Sequence, residues 1–115
     1  MFQKDMKYSL LLDFYGDILS DRRRELIELY YNEDLSLKEV SEITGISRQG
    51  VRDSVKKTEI ELDELEEKLG MAKRFEDIRN QLDTAIKELH KIADNDTADR
   101  KEISDIADYL SKINL

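Results

Sequence analysis

The sequence predicts an all-α protein, and three observations carry that prediction. No proline interrupts its 115 residues, and only four are glycine. Hydrophobic residues make up 39% and charged residues 40%, a mixture rich in Leu, Ile, Glu, Asp, Lys and Arg that suits amphipathic helices with solvated faces. Nowhere does apolar/polar alternation persist between turn residues, so no strand signal competes. A chain of this length supports about one domain with a modest core.

The helices follow in order from spacing and caps. Over residues 4–19, Met6, Leu10, Leu11, Phe14, Ile18 and Leu19 recur at steps of three and four and predict a first amphipathic helix. Ser20 is the N-cap expected for DRRRELIELYYNED, with Asp21 in the first turn where the helix dipole favours an anion. In that second helix Leu26, Leu29 and Tyr30 face inward. Ser36 caps LKEVSEIT, and Glu39 three residues on completes a capping box. Val40 and Ile43 are expected to point into the core. Gly45 supplies the positive φ that a tight turn demands, and Ser47 caps a helix running unbroken from Arg48 to about Leu69.

From Val55 onward the pattern becomes a heptad-like seam. Val55, Thr58, Leu62, Leu65, Leu69 and Ala72 alternate steps of three and four, and Phe75, Ile78, Leu82, Ala85, Leu89 and Ile92 resume them after a small slip. Gly70 lies close to the slip and reads equally as a break or as a tolerated interior glycine. A continuous helix from Val55 to Ile92 would span about 57 Å. A stripe of that length needs cover, either by folding back on the N-terminal helices or by pairing two chains as a homodimer. DNDTADR, residues 94–100, is the expected loop, with Thr97 as a cap. Ile103, Ile106, Ala107, Leu110 and Ile113 then mark a last short helix. The expected organisation is a helical domain at 1–69 and a C-terminal helical arm at 70–115.

Charge is distributed unevenly. The chain carries a net −8, of which residues 1–57 hold −1 and residues 58–115 hold −7. The acid is thus expected on the arm, and the nearly neutral half can carry a basic face, although overall repulsion weakens contact with a phosphate backbone. Without cysteine there is no disulfide, no thiolate nucleophile and no cysteine metal site. The longest apolar run, Leu10 to Leu12, is too short to span a bilayer. The opening MFQKDMKYSLLLDFYGD has acids on both sides of that run and no small-residue cleavage site, so no signal peptide and no membrane insertion are expected. The cytoplasm is the expected compartment.

Enzymatic chemistry finds no footing in these residues. The one histidine, His90, has no nucleophile or acid beside it. The pairs Glu66/Glu67 and Glu76/Asp77 read as a solvated helix face rather than as general acid and base. With no Gly-rich phosphate loop and no metal-ligand spacing, no catalytic residue, no cofactor and no metal is expected.

The stretch SLKEVSEITGISRQGVRDSVKK, residues 36–57, carries the functional reading. With Gly45 as the turn, Ser41 is small where two helices approach, Ile46 plugs the turn, and Val51 and Val55 anchor the second helix. That is a helix-turn-helix. Its opposite face presents Ser47, Arg48, Gln49, Arg52 and Lys56, with Asp53 and Lys57 at the margins. Arginine grips guanine bidentately, glutamine reads adenine and lysine neutralises phosphate. In this geometry the second helix enters the DNA major groove by its N-terminal end. Arg22, Arg23 and Arg24 are expected to add phosphate contacts from the preceding helix. Asp53 counts against tight phosphate approach, and Gly50 weakens the helix by roughly 1 kcal/mol relative to alanine.

LSDRRRELIELYYNEDLSLKEVSEITGISRQGVRDSVKKTE resembles region four of bacterial sigma factors, a promoter-reading module. Residues 12–69 resemble more closely the YlxM-like family of small helix-turn-helix proteins, through DFY, LYY, EDLSL, SRQ and KKTE. The resemblance implies a DNA-binding, regulatory protein whose partner is double-stranded DNA. Ser47, Arg48, Gln49, Arg52 and Lys56 are the positions that carry over to a sigma-like recognition helix. It also implies an association with the signal recognition particle pathway. The alternative expectation is therefore an accessory protein acting on signal recognition particle components through protein or RNA contacts. Sigma modules are more basic than this chain, and they lack the acidic arm after Thr58.

Overall fold

The structure, a computed structural model, describes residues 4–94 and 100–112, and every regular element among them is helical. The expected cap Thr97 and Ile113, the final apolar residue of the expected last helix, lie outside the described residues. The elements are α1 (Lys7–Tyr15), a single 3-10 turn (Gly16–Ile18), α2 (Asp21–Tyr31), α3 (Leu37–Thr44), α4 (Arg48–Leu69), α5 (Met71–Ala93) and α6 (Arg100–Ser111). The chain forms two compact units, Met1–Ala72 and Lys73–Leu115.

In the first unit α4 is the spine. Its inner stripe, Val51, Val55, Thr58 and Leu62, is fully buried and packs against α1, α2 and α3. Thr58 is admitted to this apolar stripe because its hydroxyl donates to the Ser54 carbonyl one turn back (2.9 Å). The facing helices contribute Leu11 and Leu12 from α1, Leu26 and Ile27 from α2, and Val40 from α3, all buried.

The first helix is shorter than the periodicity over residues 4–19 predicts, and it turns a different face inward. Tyr8, Leu11, Leu12 and Tyr15, followed by Leu19, are buried, whereas Met6, Leu10 and Ile18 are exposed. The reason lies in the two tyrosines. A buried tyrosine needs a partner for its hydroxyl, and each finds one on α4: Tyr8 donates to Asp63 (2.8 Å) and Tyr15 to Glu66 (2.7 Å). The same logic extends the core face of α2 beyond Leu26 and Tyr30 to Tyr31, which donates to Glu59 (2.9 Å).

Ser20 caps α2 as expected, its hydroxyl accepting from the Arg23 amide (3.4 Å). The far end of α2 is closed by a residue from outside the helix. The Lys4 ammonium donates to the carbonyls of Tyr30 (2.6 Å) and Leu35 (2.8 Å) and to Asp34 Oδ1 (3.0 Å), and lies 4.2 Å from the Tyr30 ring centroid. A cation at the carbonyl end of a helix also meets the favourable end of its dipole. The connection between α2 and α3 is thereby pinned to the N-terminal segment.

Gly70 ends α4. It takes a left-handed conformation (φ 61°) and returns its amide to the Glu66 carbonyl (2.7 Å), so the expected seam from Val55 to Ile92 is not one continuous helix. Its N-terminal half, Val55 to Leu62, is covered within the first unit. Leu69 is exposed, and Ala72 is buried with the first unit's core.

The second unit contains α5 from Lys73 onward and α6. Ala93 and Ala107 are its buried residues, and Phe75, Leu82, Ile86, Leu89, Ile103 and Leu110 are half-buried. Two of the expected seam residues, Ile78 and Ile92, are exposed, and Ile86 rather than Ala85 is half-buried. His90 Nε2 stands 3.8 Å from Asp108 Oδ1, linking α5 to α6.

Candidate nucleic-acid interface

The interface is assembled by local rules at the turn between α3 and α4. At the start of α3 the Glu39 amide donates to Ser36 Oγ (3.0 Å) and the Ser36 amide to Glu39 Oε1 (3.1 Å), the full capping box. The Ser36 backbone hydrogen bond holds the Glu39 carboxyl below its usual range. Gly45 adopts φ 76° and donates its amide to the Ser41 carbonyl (2.9 Å). The Ser41 hydroxyl donates across the turn to the Ile46 carbonyl (2.5 Å), and Thr44 Oγ1 accepts from the Ile46 amide (3.3 Å). Ile46 packs against the core, as its position at the turn predicts.

Ile43 does not point into the core; it is 62% exposed. The inward face of this two-turn helix runs through Leu37, Val40 and Thr44, and Thr44 bonds back to the Val40 carbonyl (2.8 Å). Residue 43 lies to one side of that line.

Ser47 caps α4 by accepting the Gly50 amide (3.0 Å). Gly50 is more than a weak helix former here. A Cβ at this position would lie 2.9 Å from Ile46 Cγ2 and 3.0 Å from Ser47 Oγ, so glycine is what lets the plug and the cap coexist.

Around the buried Val51 and Val55, the cap residue Ser47 and Arg48, Gln49, Arg52, Lys56 and Lys57 of α4 are exposed. None of these four cations forms an ion pair with a described residue. Asp53, expected at the margin, stands within the face: Gln49 Nε2 donates to its Oδ1 (2.9 Å). Lys38 at the start of α3 lines the same open groove as Arg48, together with Lys4, Tyr30 and Glu39. Sequence reasoning passed over Lys38; its place directly after the cap and first residue of α3 was the available signal.

The arginine cluster of α2 is arranged differently. Arg22 pairs with Glu25 (3.0 Å), Arg23 with Glu61 of α4 (2.8 Å), and Arg24 with both Asp17 (2.7 Å) and Glu28 (2.8 Å). The hydrogen bonds that Arg24 donates to Glu28 and Asp17 hold its guanidinium still more firmly protonated. These three arginines brace α2, and carboxylates already neutralise them.

The acid expected on a free arm is also engaged. Six carboxylates lie between Glu59 and Glu67, inside α4. Glu59, Asp63 and Glu66 accept tyrosine hydroxyls and Glu61 accepts Arg23, so Glu66 belongs to an internal network rather than a solvated face. Burial, followed by the bond to the neighbouring carboxylate, pushes the hydroxyls of Tyr8, Tyr15 and Tyr31 above their ordinary range, so all three stay protonated donors at neutral pH. Desolvation likewise raises Glu59, outweighing the opposing bond from Tyr31.

Among the described residues no group of histidines and acids could hold a metal ion, and no helix is long and apolar enough to cross a membrane.

An all-helical chain in which a capped, glycine-turned helix pair presents an exposed polar face is a helix-turn-helix protein. Residues 2–109 match the UPF0122 family, described as "putative helix-turn-helix protein, YlxM / p13 like", and the chain belongs to that family. It is 45% identical over 109 residues, 93% of each chain, to a UPF0122 protein of Thermoanaerobacter sp. (strain X514). To one of Thermoanaerobacter pseudethanolicus it is 44% identical, with 92% of each chain covered. To one of Bacillus cereus (strain AH187) it is 34% identical over 110 residues, 96% of this chain and 99% of the relative.

Proposed function

We propose that this is a cytoplasmic, non-enzymatic regulatory protein that binds double-stranded DNA through α4. One observation carries the reading: Arg48, Arg52, Lys56 and Lys57 share an exposed stretch of α4, and no described carboxylate forms an ion pair with any of them. Other cations of the first unit are neutralised at Arg22, Arg23, Arg24 and Lys4, whereas Lys38, beside Arg48, and Lys68 form no ion pair with a described residue. Free cations left together on a helix beside Ser47 and Gln49 suit a phosphate-flanked groove. Arg48 and Gln49, in the first turn, reach base edges. Arg52 follows one turn later, and Lys56 and Lys57 meet the backbone. In this reading Arg23 holds α2 against α4 through Glu61, while Arg22 and Arg24 are engaged within α2 and at the 3-10 turn rather than by DNA.

The test is a duplex-binding titration across salt with the wild type and R48A/R52A. The logarithm of the binding constant should fall by about 0.9 per log unit of salt for each phosphate neutralised. The double variant should bind more weakly and with a shallower slope. Absence of duplex binding even at low salt would overturn the proposal. The accessory-protein reading would then rest on Glu64 and Glu67, the two carboxylates of the 59–67 segment that are exposed. Charge reversal at those two positions would test it without breaking the tyrosine network, as reversal of Glu66 would.

A further inference from the structure

We propose that Asp53 is a positioning residue of the reading face, one that orients the Gln49 amide and so selects adenine over guanine at the base it meets. The inference rests on the DNA-binding reading of α4. It starts from a contact whose direction is chemically unambiguous. Gln49 Nε2 lies 2.9 Å from Asp53 Oδ1, and a carboxylate only accepts hydrogen bonds, so the amino side of the amide faces Asp53 and the carbonyl Oε1 faces away. A glutamine free on a helix surface has both amide orientations open to it. Here one of them would set Oε1 against a carboxylate.

The orientation has a consequence for what Gln49 can recognise. With Asp53 taking the N–H trans to Oε1, Oε1 and the cis N–H remain together on one edge of the amide. That acceptor and donor match the N6 amino group and N7 of adenine in the major groove. Guanine offers two acceptors there, O6 and N7. To satisfy them the amide would need to turn its amino group outward and abandon Asp53. The negative charge of Asp53 acts in the same sense, disfavouring an acceptor edge and favouring a base that presents an amino group. The pair is intrahelical, four residues apart, and belongs to the exposed stretch that carries Arg48 and Arg52. The carboxylate that weakens phosphate approach is thus what gives the face its selectivity.

The experiment is a parallel selection from a pool of duplexes with a randomised centre, at low salt, using the folded full chain as wild type, D53A, D53E and Q49A. The wild type should enrich one position for adenine over guanine by about tenfold, the scale of a good bidentate pair. D53A should bind the pool more tightly, having lost a negative charge, while adenine and guanine approach parity at that position. D53E, which keeps a carboxylate one turn from Gln49, should restore the preference, and Q49A should abolish it. A merely structural role for Asp53 would leave the adenine-to-guanine ratio unchanged. Undiminished adenine enrichment by D53A, or binding by the wild type with no adenine-selective position, overturns the inference and leaves DNA binding standing. Failure of the wild type to retain any duplex overturns the DNA-binding reading, and this inference with it.

Discussion

The Tyr15 hydroxyl lies 2.7 Å from Glu66 Oε1 across 51 positions of sequence, and the same hydroxyl accepts the backbone amide of Met71 (3.1 Å). Glu66 Oε1 accepts the amide of Ala72 as well (3.0 Å). The two opening amides of α5, which lack helical partners of their own, are therefore satisfied by α1 and α4. This contact turns Gly70 from a tolerated glycine into a break.

Tyr15→Phe removes the centre of that network while keeping the buried ring. The Met71 amide loses its acceptor and Glu66 loses a donor, so stability should fall by about 1–3 kcal/mol. Urea denaturation of the two proteins checks this. An unchanged midpoint would mean that water replaces the hydroxyl at no cost.

Glu59 predicts a pH dependence. Its folded carboxyl titrates above the ordinary 4.5, chiefly through desolvation. The contribution of this group to stability is thus fully present below the unfolded value and is lost as the pH rises through the folded value. Glu59→Gln keeps an acceptor for Tyr31 without the charge, and should be as stable as the wild type or more so at neutral pH. The difference should vanish below the carboxylate range. Thermal melts across pH measure it, and a variant less stable at neutral pH would mean that the charged acceptor outweighs desolvation.

Gly50→Ala should destabilise the protein, against the general rule that alanine improves a helix interior by about 1 kcal/mol over glycine. The new methyl group meets the Ile46 methyl and the Ser47 cap oxygen at or just under 3.0 Å. Either the plug of the turn or the cap of α4 must give way. A raised melting temperature would show that the turn has slack.

Arg52→Ala and Arg23→Ala should separate binding from stability. Arg52 has no ion-pair partner among the described residues, and its loss should weaken duplex binding by about 1–3 kcal/mol if it meets a base, with little effect on the melt. Arg23 bonds Glu61 at 2.8 Å, both partly exposed, and its loss should cost less than about 1 kcal/mol of stability. Its duplex affinity should stay within the effect of one unit of net charge.

The caps and the turn were legible because their physics is local. Ser20, Ser36 with Glu39, Gly45 and Ser47 act on amides within four residues of themselves. The outward position of Arg48, Gln49, Arg52, Lys56 and Lys57 was legible for the same reason, since Val51 and Val55 orient the helix. Gly50 was half-legible: its helix penalty could be read, but the close approach of Ile46 and Ser47 that requires it could not.

Ile43 was misread because the inward line of α3 runs through Val40 and Thr44, and α1 and the acidic stretch because spacing alone ranked apolar residues above tyrosines. A tyrosine occupies a core face when a distant acceptor awaits its hydroxyl, and Asp63 lies 55 positions from Tyr8 while Glu59 lies 28 from Tyr31. The sequence by itself determined where helices start, where they turn and which residues lie on the outward side of α4, because backbone hydrogen bonding and helical period act over a few residues. Only the tertiary structure decided which face of α1 is buried, which charges are neutralised and whether Gly70 breaks the seam, because those depend on partners that chain folding alone brings within hydrogen-bond distance.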